Sequence, residues 1–180
     1  MTSSEDVPWL NDDEMRAWRA YVETAIDLNN ALERDLSPHG LTLGDYQVLV
    51  YLSEADEHRM RMRDLAELLQ LSPSGLTRRL DGLVRSEYVE RQPSSNDGRV
   101  MMAVLTEAGD DLLRVTAPHH VASVRQHIFD RLSPDQVRVL GDIFASIAAG
   151  LCEQVEAGAE APTTALTNGA DPSSCSSLVG

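Results

Sequence analysis

The sequence predicts a mainly α-helical chain carrying one small β-hairpin, an α+β fold, on three observations. Apolar side chains recur at helical spacing through most of the 180 residues. Aromatic residues make up only 4%, which favours aliphatic helix packing over an aromatic-rich sheet core. The period changes in one region, where two short β-leaning runs flank a loop rich in turn formers.

The first helix is expected over 12–36, with Met15, Trp18, Val22, Ala25, Ile26, Leu28, Leu32 and Leu36 on its apolar face. Ser37-Pro38-His39-Gly40 breaks it. Thr42, with Asp45 three residues on, reads as the N-cap of a helix through Ser53 that packs on Tyr46, Leu49, Val50 and Leu52. A short helix follows from about Arg63 to Leu69. Ser72-Pro73 restarts the chain, because serine caps and proline tolerates the first turn, where its missing N–H has no partner to lose. The helix from Pro73 to about Ser86 buries Leu76, Leu80, Leu83 and Val84.

Tyr88–Gln92 and Val100–Leu105 are then the hairpin strands, and Pro93–Arg99 is its long tip. Thr106 caps a helix to about Asp130 with a kink expected at Pro118. Ser133-Pro134-Asp135-Gln136 is a capping box for a last helix to about Val155. The organisation is therefore a flexible 1–11, one domain over 12–157, and a disordered tail over 158–180, where Pro, Thr, Ala, Asn, Gly and Ser dominate.

Composition bounds the function. A hydrophobic fraction of 42% argues against wholesale disorder, and no apolar run approaches the roughly 20 residues of a membrane span. The acidic N-terminus lacks the order of a signal peptide, and Cys152 and Cys175 are too few for a disulfide framework, so a cytoplasmic protein with no membrane partner is expected. The net charge of −14 argues at face value against nucleic acid. Screening confines charge effects to about 8 Å, however, so local balance matters more than the total. Between Arg59 and Arg99 stand eight arginines against six acids, a net +2 that leaves −16 for the remainder. The chain is an acidic body with a basic middle.

Two short helices joined by a tight turn and followed by a hairpin describe a winged helix-turn-helix. Ala66 is small where the two helices approach, and Leu65, Leu69, Leu71, Leu76 and Leu80 hold their crossing. Ser72, Ser74, Gly75, Thr77 and Arg78 are left on the outer, N-terminal face of the second helix. Small hydroxyl residues let backbone N–H groups approach phosphate, and an arginine reaches a guanine edge in the major groove. Arg99 at the hairpin tip suits the narrow, electronegative minor groove. Arg61 and Arg63, at the start of the preceding helix, are candidates for phosphate contact, with plain solvation as the alternative.

The spacing of Arg91 and Arg99 with seven residues between them, Asp97 two before Arg99, and the run Val104-Leu105-Thr106-Glu107-Ala108-Gly109 resemble the wing signature of the MarR family of bacterial transcriptional regulators. The order of elements resembles it too, over roughly Asp12 to Val155. The resemblance implies an obligate homodimer built from 12–36 and 106–157, with 42–105 as the DNA-binding part, acting on an inverted repeat. It implies that Arg99 enters the minor groove, that Asp97 braces the wing through an ion pair to an arginine of the recognition helix, and that Ser72, Ser74, Thr77, Arg78 and Arg79 meet the major groove and its phosphates. It also implies a small aromatic or anionic effector near Met15, Trp18 and Tyr21, for which plain dimer core is the alternative. Glu87 stands where the family usually has a left-handed glycine, and Gly98 where a second arginine is common; the latter suggests a shallower salt dependence.

His119, His120 and His127 sit at helical spacing but have no companion Cys or Glu pattern, so surface or interface positions are preferred over a metal site. Cys152 is expected at an apolar interface and Trp9 as an anchor for the N-terminus. No phosphate loop, His-Glu-x-x-His or Gly-x-Ser-x-Gly occurs, so neither an enzyme nor a cofactor is expected. The reading is a ligand-responsive repressor. Its rivals are an activator of the same architecture and a protein-interaction module with a vestigial reading head.

Overall fold

The computed structural model describes residues 7–95 and 97–159, with only the backbone described for 152–159. Six helices and a three-stranded sheet follow one another as α1 (Asp12–Leu36), α2 (Leu43–Glu54), β1 (Arg59–Arg61), α3 (Met62–Leu68), α4 (Pro73–Arg85), β2 (Val89–Pro93), β3 (Met101–Leu105), α5 (Glu107–His127) and α6 (Pro134–Ala159).

The helix starts are where capping chemistry places them. Asn11 and Glu14 close a capping box on α1, and Thr42 and Asp45 close one on α2. Ser133 and Gln136 cap α6 reciprocally, and Thr106 accepts from Gly109 N at 3.0 Å to open α5. Pro118 lies inside α5 without ending it. That helix stops at His127 rather than near Asp130: Ile128 leaves the helical region, and a 3₁₀ turn over Phe129–Arg131 is closed by the Arg125–Asp130 ion pair. The last helix runs through Ala159, so the first two positions of the expected tail are helical. The rest of that tail, with Cys175, and residues 1–6 lie outside the described residues.

The hairpin gains a strand that periodicity did not reveal. β3 pairs antiparallel with β2 (Val89 opposite Leu105, Pro93 opposite Met101) and also with β1 (Arg59 opposite Val104, Arg61 opposite Met102). Three residues with arginine at both ends show too little alternation to be read as a strand, and the pairing with β3 supplies what the sequence pattern lacks.

Aliphatic side chains from α1, α2, α3, α4, β2 and β3 fill the centre, with Leu36, Val48, Leu49, Leu52, Leu65, Leu76, Leu80, Val89 and Ala103 essentially without solvent contact. Leu113 brings α5 onto this core. The outer helices behave differently. The side chains buried on α1 are all at its C-terminal end (Ala31, Leu32 and Leu36), and α6 exposes Val139, Ile143, Phe144, Ile147 and Leu151 along one stripe.

Candidate nucleic-acid interface

Two Schellman turns shape the reading head. At the end of α3, Gln70 N donates to Glu67 O and Leu71 N to Ala66 O (2.8 Å), with Gln70 left-handed at φ 52°. At the end of α4, Glu87 N donates to Val84 O and Tyr88 N to Leu83 O (2.9 Å), with Glu87 at φ 60°. Glu87 thus takes the conformation that glycine favours. The first turn aims α4 outward; the second sends the chain into β2.

On α4, Leu76, Leu80 and Leu83 face the core, while Ser74, Thr77 and Arg78 face solvent. Ser72 caps the helix, accepting from Gly75 N at 3.1 Å, and its hydroxyl lies 3.2 Å from that of Ser74. Thr77 Oγ1 donates back to Pro73 O at 2.9 Å. The polar groups of this helix start are held close to the backbone, so that a phosphate or base edge can approach.

The arginines of the basic middle divide into two sets. Among the described residues, Arg61, Arg78, Arg85 and Arg99 are exposed, and their guanidinium groups make no ion pair or hydrogen bond. The others are engaged: Arg59 with Glu57, Arg63 with Glu67 (2.8 Å), Arg91 with Asp81, and Arg79 with Thr42 and Asp45 of α2. Arg79 therefore differs from Arg78 beside it, turning back into the molecule rather than out from α4.

Asp97 corrects an expectation. Its carboxylate accepts from the backbone N–H of Arg99 at 3.0 Å, folding the wing tip locally, and makes no ion pair with α4. The wing is instead tied to the recognition helix by Arg91, whose Nη2 donates to Asp81 Oδ1 (2.8 Å) and to Thr77 O (2.7 Å). The short aspartate at the tip serves its own turn, while the long arginine on β2 spans the gap to α4.

Met15, Trp18 and Tyr21 stand on the open face of α1. The Trp18 and Tyr21 rings are 5.9 Å apart and both more than half exposed, with Met15 partly covered. Two clefts lie elsewhere, one bounded by Glu33, Arg34, Ser37 and Gly40 and the other by Asp45, Leu71, Arg78 and Arg79; Thr42 lines both. Trp9 is 90% exposed, so it has no anchoring contact of any size among the described residues. The histidines go separate ways: His119 packs at a tilt against His39 (4.8 Å), His120 against Tyr46 (4.4 Å), and His127 bonds Asp35 (2.9 Å).

The last two turns of the wing signature have a steric basis. A Cβ at position 109 would strike the carbonyl oxygen of Tyr88, whose other contact is Thr106 N at 3.1 Å, and Thr106 Oγ1 donates to Glu87 O at 2.7 Å. Only glycine lets the first turn of α5 sit this close to the end of the recognition helix.

Residues 39–100 match a family model described as the MarR family. The structure resembles that of AbsC, a MarR family transcriptional regulator from Streptomyces coelicolor, at 43% identity and a TM-score of 0.76, covering 81% of this chain and 98% of that one. It also resembles Sco3205 of the same family and organism, solved in complex with DNA, at 39% identity and a TM-score of 0.75, covering 79% and 94%. The HTH-type transcriptional repressor YetL of Bacillus subtilis (strain 168) is 28% identical over 67% of this chain and 74% of its own length.

Proposed function

This chain belongs to the MarR family of transcriptional regulators, and we propose that it is a sequence-specific DNA-binding repressor that grips an inverted repeat as a homodimer. The observation that carries the reading is the set of unengaged, exposed arginines on the reading head. Arg78 on α4 serves the major groove, Arg99 at the wing tip serves the minor groove, and Arg61 serves a phosphate. Ser72, Ser74 and Thr77 add phosphate and base-edge contacts at the start of α4, and Arg63 adds a further phosphate contact beside its pairing with Glu67.

The homodimer is supported by the apolar stripe of α6. Val139, Ile143, Phe144, Ile147 and Leu151 are each about half exposed or more. A 26-residue helix with such a stripe open to water needs a covering surface, and a second copy supplies one with two-fold symmetry. Two reading heads related by that axis fit half-sites about one helical turn apart. The exposed Trp18–Tyr21 pair on α1 supports a small aromatic or anionic effector that alters the separation of the heads; to act, it must prefer one separation over the other. The protein acts in the cytoplasm, by binding rather than by catalysis; among the described residues no helix is long and apolar enough to cross a membrane.

Binding of a labelled operator duplex at fixed salt tests the assignment. Arg78→Ala and Arg99→Ala are each expected to weaken it by about 1–3 kcal/mol. Operator affinity unchanged in both variants contradicts the interface.

A further inference from the structure

Arg79 follows Arg78 on α4, yet its guanidinium lies over the first turn of α2. Its Nη1 donates to Thr42 Oγ1 at 3.1 Å and stands 3.9 Å from Asp45 Oδ1. The Arg79 side chain is 34% exposed and that of Asp45 21%, which is sheltered compared with most ion pairs of this surface. The seat exists because residue 44 has no side chain: a Cβ on Gly44 would strike the guanidinium carbon and both terminal nitrogens of Arg79.

The turn that receives Arg79 is already closed on itself. Thr42 Oγ1 donates to Asp45 Oδ2 at 2.6 Å and accepts from Asp45 N at 3.1 Å, so the bond from Arg79 completes the capacity of that hydroxyl. From the other side, Glu33 of α1 accepts from Leu43 N at 2.6 Å. One helix start therefore collects α1 through Glu33 and α4 through Arg79. To reach a phosphate, the guanidinium must abandon a carboxylate, a hydroxyl and a fitted seat.

We propose that Arg79 is a positioning residue rather than a DNA contact: it sets the orientation of the recognition helix on α2 and, through Glu33, on α1. The inference rests on the DNA-binding reading and sharpens it, because it removes one arginine from the contact set and gives it a role in selectivity. Asp45 and Gly44 belong to the same device.

Two variants test it, Arg79→Met, which keeps the stem and removes the guanidinium, and Gly44→Ala, which displaces the guanidinium while keeping every charge and favouring the helix. Wild type and both variants are titrated with an operator duplex and with a random duplex over a range of salt, after melting curves show each folded. Both variants are expected to lose about tenfold in operator affinity, with random-duplex binding and the slope of log affinity against log salt unchanged. A phosphate contact behaves otherwise. Arg79→Met would then flatten the slope by about 0.9 per chain, and Gly44→Ala, with its arginine freed, would bind as tightly as wild type or more so. Either a flattened slope in Arg79→Met or full operator affinity in Gly44→Ala overturns the proposal. A wild-type chain that does not distinguish operator from random duplex overturns the DNA reading itself and this inference with it, so the two failures are told apart by the wild-type arm.

Discussion

Arg91 of β2 and Asp81 of α4 are joined at 2.8 Å, and the same guanidinium nitrogen donates to the carbonyl of Thr77 at 2.7 Å. This is the bond between wing and recognition helix. It is half-sheltered, and Arg91 Nε is buried without a partner, so part of the gain is offset by desolvation. A double-mutant cycle with Arg91→Met and Asp81→Asn, read by denaturant melts, is expected to give a coupling of about 0.5–1 kcal/mol. A coupling of zero removes the Asp81 half of the wing tie and leaves only the bond to the Thr77 carbonyl.

Gly109 is required by contact with backbone. Gly109→Ala drives a methyl group into the carbonyl of Tyr88, which cannot move as a side-chain tip can, and should destabilise the protein by about 1–3 kcal/mol. Gly82→Ala is the control: it lies inside α4 with open space around it, and the gain in helix propensity should stabilise by up to about 1 kcal/mol. Equal effects in the two variants would refute the packing account of position 109.

Gln70 and Glu87, two of the left-handed non-glycine residues, both close Schellman turns with side chains that disfavour their φ values of 52° and 60°. Gln70→Gly and Glu87→Gly should each stabilise by up to about 1 kcal/mol through relief of that strain. A melting temperature that falls in both would show that these side chains contribute more than their backbone costs.

Much of this was legible in the sequence. Capping chemistry located the starts of α2, α4, α5 and α6 from Thr or Ser, because caps are local, whereas α1 was placed by its apolar period and its Asn11 cap emerged only in the structure. Aliphatics at helical spacing found the core for the same reason. What was hidden depends on contacts distant in the chain. β1 exists by pairing with β3, the wing tie runs from Arg91 to Asp81 rather than from Asp97, and the engagement of Arg79 spans 37 residues to Thr42. Charge counts cannot separate an arginine aimed at solvent from one folded onto a carboxylate.

Acid stability follows from two groups with stated signs. Hydrogen bonds from Ser123 and His127 hold the Asp35 carboxyl below its ordinary value, so its contribution is present above the unfolded value of 3.8 and is lost as pH falls through the folded one. Burial against Tyr46 lowers His120, and protonation therefore favours unfolding as pH drops below the ordinary 6.5. Melting curves from pH 8 to 3 should show His120→Phe with a shallower loss below pH 6.5. Asp35→Asn should melt lower than wild type near neutrality and converge with it in acid. Profiles parallel to wild type in both variants contradict these assignments.

The central claim, a dimer reading symmetric DNA through Arg78 and Arg99, is tested most directly by selecting binding sites for the full chain from a random duplex pool and sequencing what is retained. The expected outcome is an inverted repeat whose half-sites lie about one helical turn apart. A pool that stays random after repeated rounds, or that converges on a single unrepeated site, would contradict it.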